Sequence, residues 1–197
     1  MFTVVLLFIC WRRSFSIYQH IQDRVIQELD EIFGDSDRPA TFQDTLEMNY
    51  LERCLMETLI IARQIQKDLK LVKRVQIHGD FVVPAGCTVI VGTYKMHRMP
   101  EHFPNPDVFD PDNFIPERTV NRHYYAYYQF SFPPRRKYAM LKLKIILMTI
   151  LRNFRVHSDL TEKDFRLQAD IILKRAEGFK LRLTPRKPGS SVRTLKA

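Results

Sequence analysis

Apolar residues recur at helical spacing in three stretches of the chain. Over Tyr18–Phe33 they fall on one face of a predicted helix, which Gly34 is expected to end. From Leu51 to Val72 they step by fours and threes without an intervening Pro or Gly, which predicts one long amphipathic helix. The third stretch, Arg136–Leu151, is strongly apolar but too short to span a bilayer, so it predicts a core helix. Thr41 is placed to cap a further helix.

Short runs of β-branched and aromatic residues predict strands among these helices. Val75–Ile77 and Phe81–Val83 flank a turn sequence and predict a hairpin, and Thr88–Val91 predicts another strand. Two more strands are expected at Phe165–Leu173 and Phe179–Leu183, on either side of a Glu-Gly turn. The chain is therefore predicted to be mainly α with small β-sheets, in the α+β class.

The segment Arg98–Arg135 is long and irregular in pattern. Prolines recur along it and are expected to exclude regular helix and central strand. Its many aromatic residues favour packing against a core over disorder. The prolines are Pro100, Pro104, Pro106, Pro111, Pro116, Pro133 and Pro134.

The 197-residue chain carries a formal net charge of +9, with Lys and Arg spread along its whole length. Nucleic-acid binders more often cluster their basic residues, so no nucleic-acid partner is predicted. Two interpretations stay open, a solvated basic surface and contact with an anionic membrane surface. The three cysteines, Cys10, Cys54 and Cys87, are too widely spaced to indicate a disulfide framework or a zinc site.

The two ends of the chain differ in character. Residues 1–20 begin with the apolar run Met1–Trp11, followed by Arg12 and Arg13. This run is too short to span a bilayer reliably, which leaves a weak membrane anchor or a terminus lying on apolar surface. The polar residues 187–197 are expected to be a disordered tail.

Three motifs, taken together, resemble consecutive segments of one known protein family. Glu57 lies within Tyr50–Leu59, the run Asn105–Asn113 precedes Phe-Ile-Pro-Glu-Arg118, and a basic-apolar segment spans Arg136–Ile145. Their order and spacing resemble helix K, the meander and helix L of a cytochrome P450, most like the family 4 type. The resemblance runs over residues 21–186 and covers the C-terminal third of a full family member.

The resemblance implies a haem-thiolate monooxygenase, which inserts one oxygen atom from O2 into a lipid-like substrate. It implies haem (heme) as cofactor and electrons from NADPH through a reductase. It also implies the cytosolic face of the endoplasmic reticulum membrane as location. These are properties of the family.

The family's E-x-x-R motif departs from its pattern here. Glu57 matches the Glu of helix K and Arg118 matches the meander Arg, and the resemblance implies that they form a charged structural lock. The helix K Arg is missing, because the residue three after Glu57 is Ile60. Arg63 follows six residues after Glu57, which is about 120° away around a helix. Losing one partner of a buried ion network typically costs ~3–5 kcal/mol.

The haem loop departs further. The family reads F-x-x-G-x-R-x-C-x-G before helix L, whereas the chain from Phe130 reads F-S-F-P-P-R-R-K-Y, without the Cys and both Gly. Cys54 and Cys87 align with other elements, so no metal ligand and no catalytic residue are assigned. By resemblance Arg63 is a haem-propionate ligand, or else a helix-surface Arg. Arg135 stands for the haem-loop Arg or is a linker charge.

Two further family features bear on function. The oxygen-activating helix I has no counterpart before Ile21, and His97 and Arg98 match a family pair for which packing is the expected role. We expect a family member that is catalytically inactive as it stands. The alternative is a small membrane-surface or protein-interaction module using the predicted helix 51–72, and a third possibility is a chain with no biochemical role.

Overall fold

A computed structural model describes most of the central part of the chain. It confirms a mainly α fold with small antiparallel β-sheets. The apolar residues 1–17, residue 63 and the tail 187–197 lie outside the described residues. The structure describes residues 18–62, 67–70, 75–76, 82–91, 93–106, 108–123, 126–127, 133–157, 167–168, 174–175 and 182–186.

Helix α1 spans Gln19–Phe33, as the periodicity predicts. It ends at Gly34, whose backbone N–H donates to the carbonyl of Asp30 at 2.8 Å. Gly34 has φ = +55°, a conformation that glycine adopts at little cost and that commonly ends a helix. The predicted first helix and its end are therefore confirmed.

Helix α2, Phe42–Glu47, begins with a capping box. The Thr41 hydroxyl accepts from the Asp44 N–H, and the Asp44 carboxylate accepts from the Thr41 N–H at 2.7 Å. Arg38 adds a two-pronged ion pair to the Asp44 carboxylate at 2.6 and 2.8 Å. The Arg38 guanidinium thereby holds the pKa of Asp44 well below its usual range. The predicted Thr41 cap is confirmed.

Helix α3, Asn49–Ala62, starts against helix α1. The Glu28 carboxylate accepts from the backbone N–H groups of Tyr50 and Leu51, at 2.6 and 2.9 Å. These N–H groups belong to the first turn, where an intrahelical partner does not exist. Glu28 therefore fixes where α3 begins relative to α1.

The prediction of one helix from Leu51 to Val72 is wrong. Helix α3 ends at Ala62, and Lys67–Lys70 forms strand β1, which pairs antiparallel with strand β4, Thr88–Val91. The period of the apolar residues suits a helix, but backbone pairing with a distant strand overrides local preference. The alternative function, a membrane-surface or protein-interaction module, was based on one helix over residues 51–72, and the structure does not contain that helix. The predicted strand Thr88–Val91 is confirmed.

The other strands form two-stranded pairs. Strands β2, Val75–Gln76, and β3, Val82–Val83, form the predicted hairpin. In the C-terminal part, β6, Leu167–Gln168, pairs with β7, Lys174–Arg175. Strand β5, Phe154–His157, follows helix α6 directly and pairs with β8, Arg182–Pro185. Strands β6 and β8 fall partly within the two predicted ranges, Phe165–Leu173 and Phe179–Leu183. The sequence pattern did not indicate β5, which is the partner of β8.

Prolines open helical turns in the segment that they were expected to keep irregular. Helix α4, Thr93–Met96, lies just before this segment. Pro111 starts the 3₁₀ turn Pro111–Phe114, Pro116 starts helix α5, Pro116–Thr119, and Pro133 starts helix α6, Pro133–Asn153. The first residue of a helix needs no backbone N–H, so proline is tolerated there. The expectation that these prolines exclude helix is wrong at these three positions.

The core lies where α1, α3 and α6 pack on one another. Phe103 and Phe109 from the irregular segment join it and are almost fully buried. The principal apolar residues of α1, α3 and α6 are Val25, Leu29, Leu51, Leu55, Leu59, Leu143, Leu147 and Leu151. Within the described ranges, no helix combines the length and the apolar character that crossing a membrane requires.

Gln22 of helix α1 binds the backbone of strand β5 through both ends of its side-chain amide. The Oε1 atom of Gln22 accepts from the Val156 N–H at 2.8 Å, and its Nε2 atom donates to the Val156 carbonyl at 2.9 Å. Both residues are fully buried. The amide thus takes the position that a neighbouring strand would occupy along β5.

Candidate functional site

Glu57 lies on α3 where the helix meets the 3₁₀ turn Pro111–Phe114. Its side chain is 1% exposed. The Oε1 atom accepts from the Asp110 N–H and from the Asn113 amide, both at 3.4 Å. The Oε2 atom has no hydrogen-bond partner among the described residues. Within the described part of the chain, one oxygen of this buried carboxyl group therefore has no hydrogen bond.

Burial raises the pKa of Glu57 to about 8. The hydrogen bonds from Asp110 and Asn113 and the charge of Arg122 act in the opposite direction, while the charge of Asp110 adds to the increase. Because a buried carboxylate loses its hydration, the neutral acid is favoured at neutral pH. Glu57 therefore differs from the charged member of an ion network that the resemblance implies.

Arg118 is placed at the same corner with a different partner. Its Nη1 atom donates to Oδ2 of Asp110 at 2.8 Å, and its side chain is half exposed. Glu57 contacts the backbone N–H of the same Asp110. The structure thus brings Glu57 and Arg118 together around Asp110, and the ion pair of Arg118 is with Asp110.

Ile60 occupies the position three residues after Glu57 and is 1% exposed within the apolar core. It offers no donor to the carboxyl group. Among the described residues, the positive charge of Arg122 lowers the pKa of Glu57 slightly against the larger effect of burial, and no motif marks Arg122 in the sequence. Arg122 follows the family's motif residues in the irregular segment, and only its charge could have marked it.

Arg122 is held against aromatic rings. Its Cζ atom lies 4.3 Å from the ring centroid of Phe103 and 5.6 Å from that of Phe114. Its Nε and Nη1 atoms are buried and have no hydrogen-bond partner in the described part of the chain. Burial lowers the pKa of the Arg122 guanidinium, and the Glu57 charge acts in the opposite direction.

The side chains of the two residues matched to haem contacts, Arg63 and Arg135, are not described by the structure. Arg63 lies outside the described residues. Arg135 lies in the first turn of α6, and its side chain is not described. Contact of either residue with a haem propionate stays a prediction.

Neither of the two cysteines that the structure describes is placed like the ligand of a haem-thiolate centre. Cys54 is 0% exposed in α3, where it packs in the apolar core, and Cys87 lies exposed in the turn before β4. The run from Phe130 into α6 contains no cysteine. Over the described residues, no group of His, Cys, Asp and Glu side chains is arranged to hold a metal ion.

His97 is fully buried between aromatic residues. Its ring centroid lies 5.6 Å from that of Tyr127 and 6.1 Å from that of Phe103. The packing role expected for His97 is confirmed by these contacts.

A surface cavity of about 740 Å³ lies at the C-terminal ends of α1 and α6. Phe33, Met148 and Arg152 contribute to its wall, together with the segment 36–40. Glu57, Arg118 and Arg122 do not line it, so the cavity is separate from the Glu57 corner.

Comparison with known proteins explains the arrangement of these elements. The Cytochrome P450 family model matches residues 16–183. The chain is 65% identical over 181 residues to Cytochrome P450 4g15 of Drosophila melanogaster. This alignment covers 86% of the chain and 31% of that relative. It is 53% identical over 182 residues to Cytochrome P450 4g1 of Drosophila melanogaster, covering 86% of the chain and 32% of the relative.

More distant relatives agree. The chain is 36% identical over 177 residues to Cytochrome P450 4V2 of Homo sapiens, covering 84% of the chain and 32% of the relative. The chain spans about a third of the length of the curated relatives it matches. At family level these proteins are haem-thiolate monooxygenases that take electrons from a redox partner, and haem is their cofactor. By its family-model match and its family 4 relatives, the chain belongs to the cytochrome P450 family.

Proposed function

We propose that this chain is a cytochrome P450 family member that has lost thiolate ligation of haem and has no monooxygenase activity. The observation that carries the proposal is the run from Phe130 to Tyr138, which contains no cysteine at the family's ligand position. In the family, that thiolate supplies the electron density needed for O–O bond cleavage. An otherwise matching chain without it lacks the group on which the chemistry depends.

The two cysteines within the described residues, Cys54 and Cys87, support the proposal. Cys54 lies within α3 with no exposed surface. Its sulfur could reach a haem iron only if the core around Leu51 and Leu55 were unpacked. Removing such packing costs several kcal/mol, as large-to-small substitutions at core leucines show (about 2–5 kcal/mol). Cys87 is exposed on a turn between two strands, away from the start of α6 in sequence.

A spectral measurement tests the proposal. The purified chain is mixed with haem, reduced and exposed to CO, with Cytochrome P450 4g15 treated in parallel as the positive control. We expect no thiolate-type Soret band from the chain. Any thiolate-type band from the chain would contradict the proposal, and its loss in Cys10→Ser, Cys54→Ser or Cys87→Ser would identify the ligand.

The ancestral activity that we assign to this chain's lineage is the insertion of one oxygen atom from O2 into a lipid-like substrate. Its electrons come from NADPH through a reductase, at the cytosolic face of the endoplasmic reticulum membrane. Family 4 membership supports the class of reaction. The net charge of +9 supports contact with an anionic membrane surface.

Vesicle binding tests the membrane part of this proposal. We expect the chain to co-sediment with vesicles containing phosphatidylserine at low salt and to release at high salt, because screening weakens attraction between surface charges. Neutral phosphatidylcholine vesicles are the matched control. Absence of binding to the anionic vesicles at low salt would contradict the membrane contact.

A further inference from the structure

Helix α2 buries polar side chains and exposes apolar ones, which is the reverse of the pattern in α1, α3 and α6. Asp44 and Thr45 are 7% and 3% exposed, whereas Phe42 and Leu46 are 67% and 53% exposed. Phe42 and Leu46 are four residues apart, so they lie on the same face of the helix. This outward apolar pair lies outside the core and is accessible to a partner.

Polar contacts fix the orientation of α2. The Asp44 carboxylate binds the Arg38 guanidinium at 2.6 and 2.8 Å. Lys144 of α6, which is 5% exposed, donates to the Thr45 carbonyl at 2.8 Å. Turning the apolar pair toward the core would break these contacts and leave buried polar groups without partners, which is unfavourable. The outward position of the pair is therefore built into the fold.

Helix α6 lies beside this segment and runs in the opposite direction. Arg152 donates to the carbonyls of Ser36 and Arg38, at 2.5 and 2.9 Å. Lys144, nearer the start of α6, donates to the carbonyl of Thr45. The chain from Ser36 to Thr45 thus follows α6 from Arg152 back to Lys144, and α2 and α6 are neighbours at the surface.

Helix α6 exposes a stripe of its own. Tyr138, Lys142, Ile145 and Thr149 follow one another at intervals of four, three and four residues, and all are exposed. Residues at this spacing lie on one side of a helix. Tyr138 and Ile145 are 68% and 40% exposed. Lys142 lies between them, so the stripe combines apolar side chains with a positive charge.

The two neighbouring elements carry opposite charge. Helix α6 contains six Lys and Arg residues and no Asp or Glu. Residues 35–47, which include α2, contain four acidic residues and one basic residue. A two-fold axis that runs between α2 and α6 places α2 of each copy against α6 of the other. Exposed apolar side chains then meet apolar side chains, and each acidic segment meets a basic helix.

A second copy of the chain suits this surface better than an anionic membrane does. Anionic lipid attracts α6 but repels the acidic segment beside it. In a two-fold contact both elements have a partner of opposite charge, and such complementarity selects the partner and its register. The exposed Glu47 at the end of α2 and the exposed Lys142 of α6 are the charges that flank the apolar residues.

We propose that the exposed faces of α2 and α6 form a self-complementary surface through which two copies of this chain associate. Phe42 and Leu46 of each copy pack on the stripe Tyr138–Thr149 of the other, and Glu47 faces Lys142 across the contact. The inference is independent of the proposed loss of monooxygenase activity and of the proposed membrane contact.

Sedimentation equilibrium of the purified full-length chain, over a range of concentrations, measures the association. We expect a reversible equilibrium between monomer and dimer. Phe42→Ser is expected to weaken dimerisation about tenfold or more, because it removes a large apolar side chain from the contact. Val120→Ser is the matched control, since Val120 is 78% exposed and belongs to neither helix. It is expected to leave the dimerisation constant unchanged.

Charge reversal tests whether the contact is between copies. Glu47→Lys and Lys142→Glu, each alone, place like charges opposite one another and are expected to weaken dimerisation about tenfold. An equimolar mixture of the two variants restores both opposite-charge pairs, but only between different chains, and is expected to dimerise like the wild type. Replacing Lys142→Glu in the mixture by Lys95→Glu, an exposed lysine of α4, is expected to give no recovery. Unchanged far-UV circular dichroism checks that each variant is folded.

Three results would overturn the proposal. The first is a wild-type chain that stays monomeric over the whole concentration range. The second is a dimer that Phe42→Ser and both charge reversals leave as tight as before. The third is a mixture of Glu47→Lys and Lys142→Glu that associates no more tightly than either variant alone.

Discussion

Replacing Glu57 with glutamine is expected to make the chain more stable than wild type at pH 9 and to change its stability little at pH 5. Burial raises the pKa of Glu57 from its ordinary value of 4.5 to about 8. Between these values the folded chain holds a proton that the unfolded chain releases, so wild-type stability is complete below about pH 4.5 and falls as pH rises through 8. Each pKa unit corresponds to about 1.4 kcal/mol, so the loss at high pH amounts to roughly 3–5 kcal/mol. Glutamine does not ionise and avoids it.

Urea unfolding at pH 5, 7 and 9, followed by far-UV circular dichroism, measures this difference. Glu47→Gln, which removes an exposed carboxylate at the end of α2, is the matched control and is expected to keep the wild-type pH dependence. If the stabilities of Glu57→Gln and wild type stayed parallel from pH 5 to pH 9, Glu57 would be charged in the folded chain at neutral pH. The carboxyl group would then have found a partner that restores the ion network.

The Glu57 corner shows what sequence motifs can and cannot supply. The E-x-x-R remnant and the meander motif marked Glu57 and Arg118, and the structure places both around Asp110. The roles of Asp110 and Arg122 were not predictable from the motifs. These contacts join residues more than 50 positions apart, and they follow from how the 3₁₀ turn packs on α3.

The end of α3 shows a different limit. The apolar period from Leu51 continues past Ala62, so local pattern alone favours continued helix. Strand β1 nevertheless forms, because Lys67–Lys70 can pair its backbone with Thr88–Val91. A partner strand some 20 residues away cannot be read from the period of one segment. By contrast α1 was predicted nearly to the residue, because its apolar face and Gly34 act locally.

Replacing Gln22 with leucine is expected to destabilise the chain by about 2–4 kcal/mol, since a buried backbone group left without a partner costs roughly 1–3 kcal/mol. Gln22 binds the N–H and the carbonyl of Val156, at 2.8 and 2.9 Å, and all these groups are buried. Leucine has a side chain of comparable size that donates and accepts no hydrogen bond. Gln19 also donates to the Val156 carbonyl, at 3.2 Å, so the N–H of Val156 loses most. Urea unfolding at neutral pH measures the change.

The matched control lies on the same helix. Gln27→Leu changes the same side chain where the amide is exposed and contacts Glu31, and it is expected to alter stability by less than about 0.5 kcal/mol. Amide hydrogen exchange locates the loss, because the Val156 N–H is expected to exchange faster in Gln22→Leu than in Gln27→Leu. Equal losses in the two variants would assign the effect to helix α1 itself. Unequal losses with faster exchange at Val156 would assign it to the junction where α1 stands in for a strand along β5.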